Sequence, residues 1–354
     1  MSKGSVWLIS SAVLALALLV VQVPMGMVAA EDVRFGEYAI TGPHTHDNLS
    51  VFLICGKNKV EGKEFLTLEE ALDKKVAMVH ETEDVEELLI DNYDPKIYIY
   101  IQQGDIVKGG KQDRVLSFDV VVPPKAKKFR IKSFCVEQGR WNRRGAESSA
   151  YFSMSGKQVA GKKLKAMSNV AVGRQAQVWD NVKEVQAKLA SKAELDVSRL
   201  GSQSSLQLTL EAGTVDKAAK AYTKALSGAP GGKKDVVGFA FVINGKVSSA
   251  NVYASNVLSE KLWSKLLEAS AVEAVAEKEK EKDGTFQPAA AKDVKTWLEN
   301  AEKGARTATA VNAKLKVVKQ ETDAAYILQT EGPAVDLDAE AAENRSIHRS
   351  YISK

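Results

Sequence analysis

The sequence predicts an α+β fold, with an antiparallel-sheet-rich N-terminal half and a C-terminal half that mixes helices and hairpins. Three observations predict it. Short β-branched and aromatic runs crowd the first half, separated by Gly, Asn, Asp or Pro. No regular crossover helices alternate with them, which argues against a doubly wound parallel sheet. In the second half Asn244-Gly245 stands between two apolar runs. That pair suits a type I′ turn, because both residues tolerate positive φ.

The elements follow in order. Val33 to Ile40, Leu49 to Cys55, Val76 to His80, Val85 to Ile90 and Ile97 to Gln102 are strand candidates. Thr67 is placed to cap a short helix, with Glu70 three residues on and Leu68, Ala71 and Leu72 as its apolar stripe. Val115 to Val122 and Phe129 to Val136 are two more strands, joined through Pro123-Pro124. Gly173 to Ala190 has Ala176, Trp179, Val182, Val185 and Leu189 spaced for one buried helical face. Thr214 to Leu226 is a further helix, closed by the loop from Ser227 to Gly232. Val236 to Ile243 and Lys246 to Tyr253 form the hairpin around Asn244-Gly245, and Ser255 caps the helix after it. Ala289 to Ala301 is helical, and Leu315 to Val318 with Ala325 to Leu328 close the fold as a strand pair.

The first thirty residues stand apart. Lys3 precedes a charge-free apolar run from Val6 to Val23, and Val28-Ala29-Ala30 offers small residues for cleavage. A signal peptide over 1–30, cut after Ala30, implies a secreted or periplasmic protein; an uncleaved anchor helix is the rival. Removing thirty residues from 354 leaves 324, enough for a sizeable core. We expect one domain over 31–330, strand-rich over 31–145 and mixed over 146–330, then an acidic, alanine-rich tail over 331–354. After cleavage 48 basic and 45 acidic residues remain, so no nucleic acid and no membrane is called for as partner.

Two polar segments carry the chemistry: Gly109-Gly110-Lys111-Gln112-Asp113-Arg114 and Phe134-Cys135-Val136-Glu137-Gln138-Gly139-Arg140-Trp141. If the strands between them pair as neighbours, Arg114 and Glu137 lie opposite each other. Lys111, Gln112, Asp113, Arg114, Glu137, Gln138, Arg140 and Trp141 then share one corner. Three arrangements are open. Asp113 and Glu137 form a paired-carboxylate catalytic site. Alternatively, Arg140 grips an anion with its planar fork while Trp141 stacks on a ring, and glycines 109, 110 and 139 let backbone N–H groups approach. The third is a clasp of Arg114–Glu137 and Asp113–Arg140 pairs lidded by Trp141. Lys111, Arg114 and Arg140 should hold both carboxyls low, which disfavours a proton donor.

Other constellations are weaker. Gly109-Gly110-Lys111 lacks the spacing of a P-loop. Four histidines, with His44 and His46 on one side of a strand, give no convincing metal set, and no cofactor is called for. Cys55 and Cys135 could be bridged or be two buried thiols. Cys135 as a nucleophile would need His80 as its base. Asn48-Leu49-Ser50 and Asn344-Arg345-Ser346 match glycosylation sequons.

The two polar motifs, with Val237-Gly238-Phe239 and Ile243-Asn244-Gly245-Lys246, resemble a domain family of unknown function. Its name marks an association with ADP-ribosylglycohydrolase and rhodanese-phosphatase superfamily proteins. The likeness runs from about Val33 to Leu328. It implies no established activity; by association it implies a role near nucleotide or ADP-ribose metabolism. Two functions are therefore carried forward. The first is a non-enzymatic binding or structural module taking an anionic or sugar-like ligand. The alternative is a hydrolase of a phosphate- or ADP-ribose-type substrate, with Glu137 or Asp113 as base and Arg140 as electrostatic stabiliser.

Overall fold

The computed structural model describes residues 33–60, 62–194, 196, 200–279, 286, 288–332 and 346–354, and for 156–159 the backbone alone. The predicted signal segment and the Asn344 sequon lie outside them. No described helix is long and apolar enough to cross a membrane.

A nine-stranded antiparallel sheet brings together strands from both ends of the described residues. It contains β1 (Val33–Phe35), β2 (Tyr38–His46), β3 (Leu49–Cys55), β13 (Val236–Ile243), β14 (Lys246–Tyr253), β15 (Ala305–Ala310), β16 (Lys316–Glu321), β17 (Ala325–Glu331) and β18 (His348–Ser353). Its order is β1-β2-β3-β13-β14-β18-β17-β16-β15. Strand β3 is buried along its whole length because both faces of the sheet are covered. Leu49, Val51 and Leu53 join one apolar cluster, while Phe52 and Ile54 join another. The hairpin β13–β14 turns at Asn244 and Gly245, both with positive φ (51° and 74°), as their identities require. At Gly238 a Cβ would lie 2.2 Å from the Asn251 carbonyl oxygen, so only glycine admits this strand approach.

Helix α6 (Asn256–Glu277) packs on one face of this sheet, with Ser255 capping it by accepting the Leu258 N–H. Its buried residues include the polar Ser259, Lys265 and Ser270 beside Leu258, Leu262 and Leu266. Around it stand α3 (Gln175–Lys192) and α5 (Gly213–Leu226). The buried face of α3 is Val178, Asn181, Val182, Gln186 and Leu189; it shares Val182 and Leu189 with the predicted stripe but turns away from Ala176 and Trp179. Two polar residues are enclosed there, so apolar spacing alone misjudged the rotation. Helix α7 (Ala291–Ala301) covers the other face through Val294 and Leu298.

Six of the remaining strands form a closed barrel, β11-β6-β5-β12-β8-β9. They are β5 (Ala77–His80), β6 (Glu87–Asn92), β8 (Asp105–Gly109), β9 (Arg114–Leu116), β11 (Phe129–Cys135) and β12 (Tyr151–Val159). One apolar cluster gathers Val79, Leu88, Ile90, Val107, Leu116, Ile131 and Phe152 from all six. A three-stranded sheet, β10 (Val120–Val122), β7 (Tyr98–Ile101) and β4 (Phe65–Thr67), lies beside it, with β4 parallel to β7. Thr67 caps α1 (Leu68–Asp73) in a capping box with Glu70, as the sequence predicts.

Two expectations are corrected. Val115 to Val122 is not one strand. It breaks at Ser117–Asp119 because Asp119 turns inward, accepting from Tyr100 Oη at 3.0 Å and the Gln103 N–H at 2.8 Å. Of its two pieces, β9 pairs with β11 and β10 pairs with β7, and Arg114 opposes Cys135 rather than Glu137. The fold also does not end near residue 330. Strand β18 sits between β14 and β17, so the last residues of the predicted tail complete the central sheet.

Candidate functional site

One end of the barrel gathers the turn after β8, the segment after β11 and the turn after β5. Antiparallel pairing dictates this, since each strand end is a neighbour's beginning. The two polar motifs therefore meet, through a six-stranded barrel and not through a simple turn-back.

Asp113 and Glu137 are wholly buried. Asp113 Oδ1 accepts the Gly109 N–H at 3.1 Å, Arg140 Nη2 at 3.3 Å and Arg144 Nη2 at 3.1 Å. Its Oδ2 accepts Arg144 Nη1 and the Ser205 hydroxyl, both at 3.0 Å. Glu137 Oε2 accepts Arg140 Nε at 2.6 Å and the Asp113 N–H at 3.3 Å, and its Oε1 accepts Arg144 Nη1 at 3.1 Å. Arg140 also donates to the carbonyls of Gly109, Gly110 and Asn142. Buried carboxylates cost several kcal/mol each to desolvate unless paired and hydrogen-bonded, and here each oxygen is engaged.

The electrostatics differ from the sequence argument in one respect. The Asp113 carboxyl is pushed up, not held low, because burial and the adjacent Glu137 charge outweigh Arg144. Arg144 stays firmly cationic; burial opposes its charge, but Asp113 and Glu147 more than compensate.

Arg114 takes a separate course. It is wholly buried, donates Nη1 to the Gln112 carbonyl at 2.9 Å, and brings Nη2 to 3.6 Å from Glu81 Oε1. The expected Arg114–Glu137 pair gives way to Arg114–Glu81, because Arg114 registers two residues short of Glu137. Glu81 Oε2 in turn accepts the Lys111 N–H at 2.9 Å. Backbone N–H groups of Gly109 and Lys111 approach the protein's own carboxylates, while the Gly110 N–H turns to the Tyr151 carbonyl at 3.4 Å. Gly110 (φ 54°) must be glycine, since a Cβ would meet the Phe152 ring at 2.2 Å.

Gln112 is buried and donates Nε2 to the Glu137 carbonyl at 2.8 Å. Gln138 is exposed, and its carbonyl accepts the Ser204 hydroxyl. Trp141 lies outermost, 42 % exposed, with Lys111 Nζ 5.3 Å from its ring centroid and 2.8 Å from Glu83. All eight predicted residues therefore belong to one neighbourhood, although Arg114 faces a different partner.

Sequence reasoning missed Arg144, Ser205 and Glu81. Arg144 stands three residues beyond the octad and a longer window would have included it. Ser205 carried no local signal; it arrives from 92 residues away as the cap of α4 (Leu206–Leu210).

The thiols are buried and no disulfide joins them. Burial pushes Cys135 up to about 11, and His80, its only proposed base, is held by Asp91 at 3.1 Å. Asn48 is also buried, donating to Asn244 Oδ1 at 2.9 Å and the Ala274 carbonyl at 3.0 Å, so its sequon is closed to a glycan.

The model of the ARG and Rhodanese-Phosphatase-superfamily-associated Protein domain matches residues 37–352 of this chain. No curated protein and no solved structure matches it.

Proposed function

The chain belongs to the ARG and Rhodanese-Phosphatase-superfamily-associated Protein domain family, and on that premise we propose that it is an exported, non-enzymatic binding module. The Asp113–Glu137–Arg140–Arg144 clasp is its scaffold, and an anionic or sugar-like ligand engages the rim at Trp141 and Lys111. One observation carries this choice. Every oxygen of both carboxylates accepts a hydrogen bond, so no base is left free for substrate. The exposed Trp141 ring with a cation beside it supplies the stacking surface and charge that a sugar or phosphate needs. Export rests on the charge-free run Val6 to Val23 and the small residues before Glu31.

The hydrolase alternative draws on the raised Asp113 carboxyl, a shift in the direction that a general acid needs. A link to ADP-ribosylglycohydrolase proteins rests on motif likeness alone. The test is thermal-shift titration of the intact protein with glucose 6-phosphate and ADP-ribose, paired with an assay for their hydrolysis. A melting rise lost in Trp141→Ala, without turnover, supports the module. Turnover abolished by Glu137→Gln or Asp113→Asn establishes the hydrolase instead.

A further inference from the structure

A charged pair lies in the interior, away from the clasp. Asp105 opens β8 at the end opposite Gly109, and Lys265 stands near the middle of α6. They are 1 % and 3 % exposed. Lys265 Nζ lies 2.7 Å from Asp105 Oδ1, yet neither atom has a partner in hydrogen-bond geometry among the described residues. Ile106 and Leu266, their neighbours along the chain, belong to one apolar cluster. An ammonium brings three donors, and an interior that leaves them without acceptors is a costly place for it. An amide joining the two side chains carries no charge and a single N–H, so it removes that penalty.

The carboxyl is also held in place for reaction. Asp105 Oδ2 accepts the Gln102 N–H at 3.1 Å, and the Asp105 N–H donates to the Gln102 carbonyl at 3.0 Å, so a tight turn fixes the side chain. Oδ1 is one bond from Cγ, and the contact therefore keeps the amine beside the carboxyl carbon without further loss of freedom. The Gln102 N–H stands where negative charge collects on Oδ2 when a tetrahedral centre forms.

We propose that Lys265 and Asp105 condense after folding into an intramolecular isopeptide bond that ties α6 to the barrel. Nζ first passes one proton to Oδ1, which turns the ion pair into an amine and a carboxylic acid. The nitrogen lone pair then attacks Cγ, and Oδ2 takes the charge. A second proton moves from the nitrogen to the Oδ1 hydroxyl. The Cγ–Oδ1 bond breaks, water leaves with that electron pair, and the Cγ–Oδ2 double bond returns. The third proton stays as the amide N–H, so the two side chains supply every atom. Lys165 on α2 (Lys162–Met167) senses both charges: Asp105 raises it and Lys265 lowers it, so their joint loss leaves its burial penalty standing. Neither residue of the bond belongs to the clasp or the Trp141 rim, and the bond stands or falls independently of the ligand.

The test is mass spectrometry of the full chain under denaturing conditions, followed by a tryptic map. The expected mass is one water below the value its termini dictate. Trypsin should fail to cut after Lys265, and a branched peptide should join Ile97–Lys108 to Leu262–Lys278. Lys265→Met and Asp105→Ala should each keep the full mass. The parent's own mass decides the matter, so a variant that fails to fold does not blur the result. A parent at full mass, both freshly purified and after prolonged incubation at neutral pH, overturns the proposal. So does a water loss that maps to other residues or persists in Lys265→Met.

Discussion

The Ser205 hydroxyl donates to Asp113 Oδ2 at 3.0 Å while its oxygen accepts the Leu208 N–H and Arg144 Nη1, each at 3.1 Å. One donor and two acceptor sites are all that a hydroxyl has, and all three are used. The same atom caps α4 and closes the clasp. The position of α4 is therefore tied to the barrel mouth.

Ser205→Ala should cost about 1–2 kcal/mol, the combined worth of a helix cap and a bond to a charged group. Urea unfolding measures the loss. Hydrogen exchange at Leu208 should quicken more than at α6 amides. Uniform exchange changes across both helices would refute a local role.

Glu137→Gln keeps the shape but removes the charge that faces Arg140 and Arg144. Asp113 is then the one carboxylate that both guanidinium groups share, and Arg144 alone keeps a second, Glu147, at 3.0 Å. The expected destabilisation is about 3 kcal/mol, as for a buried pair broken on one side. Stability within 0.5 kcal/mol of the parent, taken here as roughly the spread of neutral surface changes, would contradict the clasp.

Lys165 gives a pH signature. It is buried, and burial lowers it from 10.5 to about 8, with Asp119 and Asp105 opposing; its Nζ donates to Asn251 Oδ1 at 3.1 Å. The folded value lies below the unfolded one, so between about 8 and 10.5 the unfolded chain binds more protons. This group's contribution therefore makes stability rise with pH across that window, and its penalty is complete below it. Lys165→Met should gain most relative to the parent below pH 8, by about 2–3 kcal/mol, and the gain should shrink towards pH 10.5. Stability curves that run parallel across the window would rule this out.

Cys135 should resist thiol reagents. Burial and its raised pKa leave little thiolate near pH 8, so labelling should await opening of the barrel. Its native rate should lie orders of magnitude below that in denaturant, and prompt labelling of the folded protein would count against it.

The sequence alone determined the local pieces of this protein: the Thr67 and Ser255 caps, the Asn244-Gly245 hairpin, the α+β class and the eight residues that share the barrel mouth. These depend on residue type and on spacing over a few positions, which local physics settles. Tertiary structure decided the rest. Strand β18 completes the sheet from within a stretch that composition marks as tail, because neighbours β14 and β17 supply the pairing. Arg114 meets Glu81 instead of Glu137 through a two-residue register difference that no periodicity encodes. Ser205 acquires its meaning only from partners far along the chain, and burial is a property of the assembled molecule.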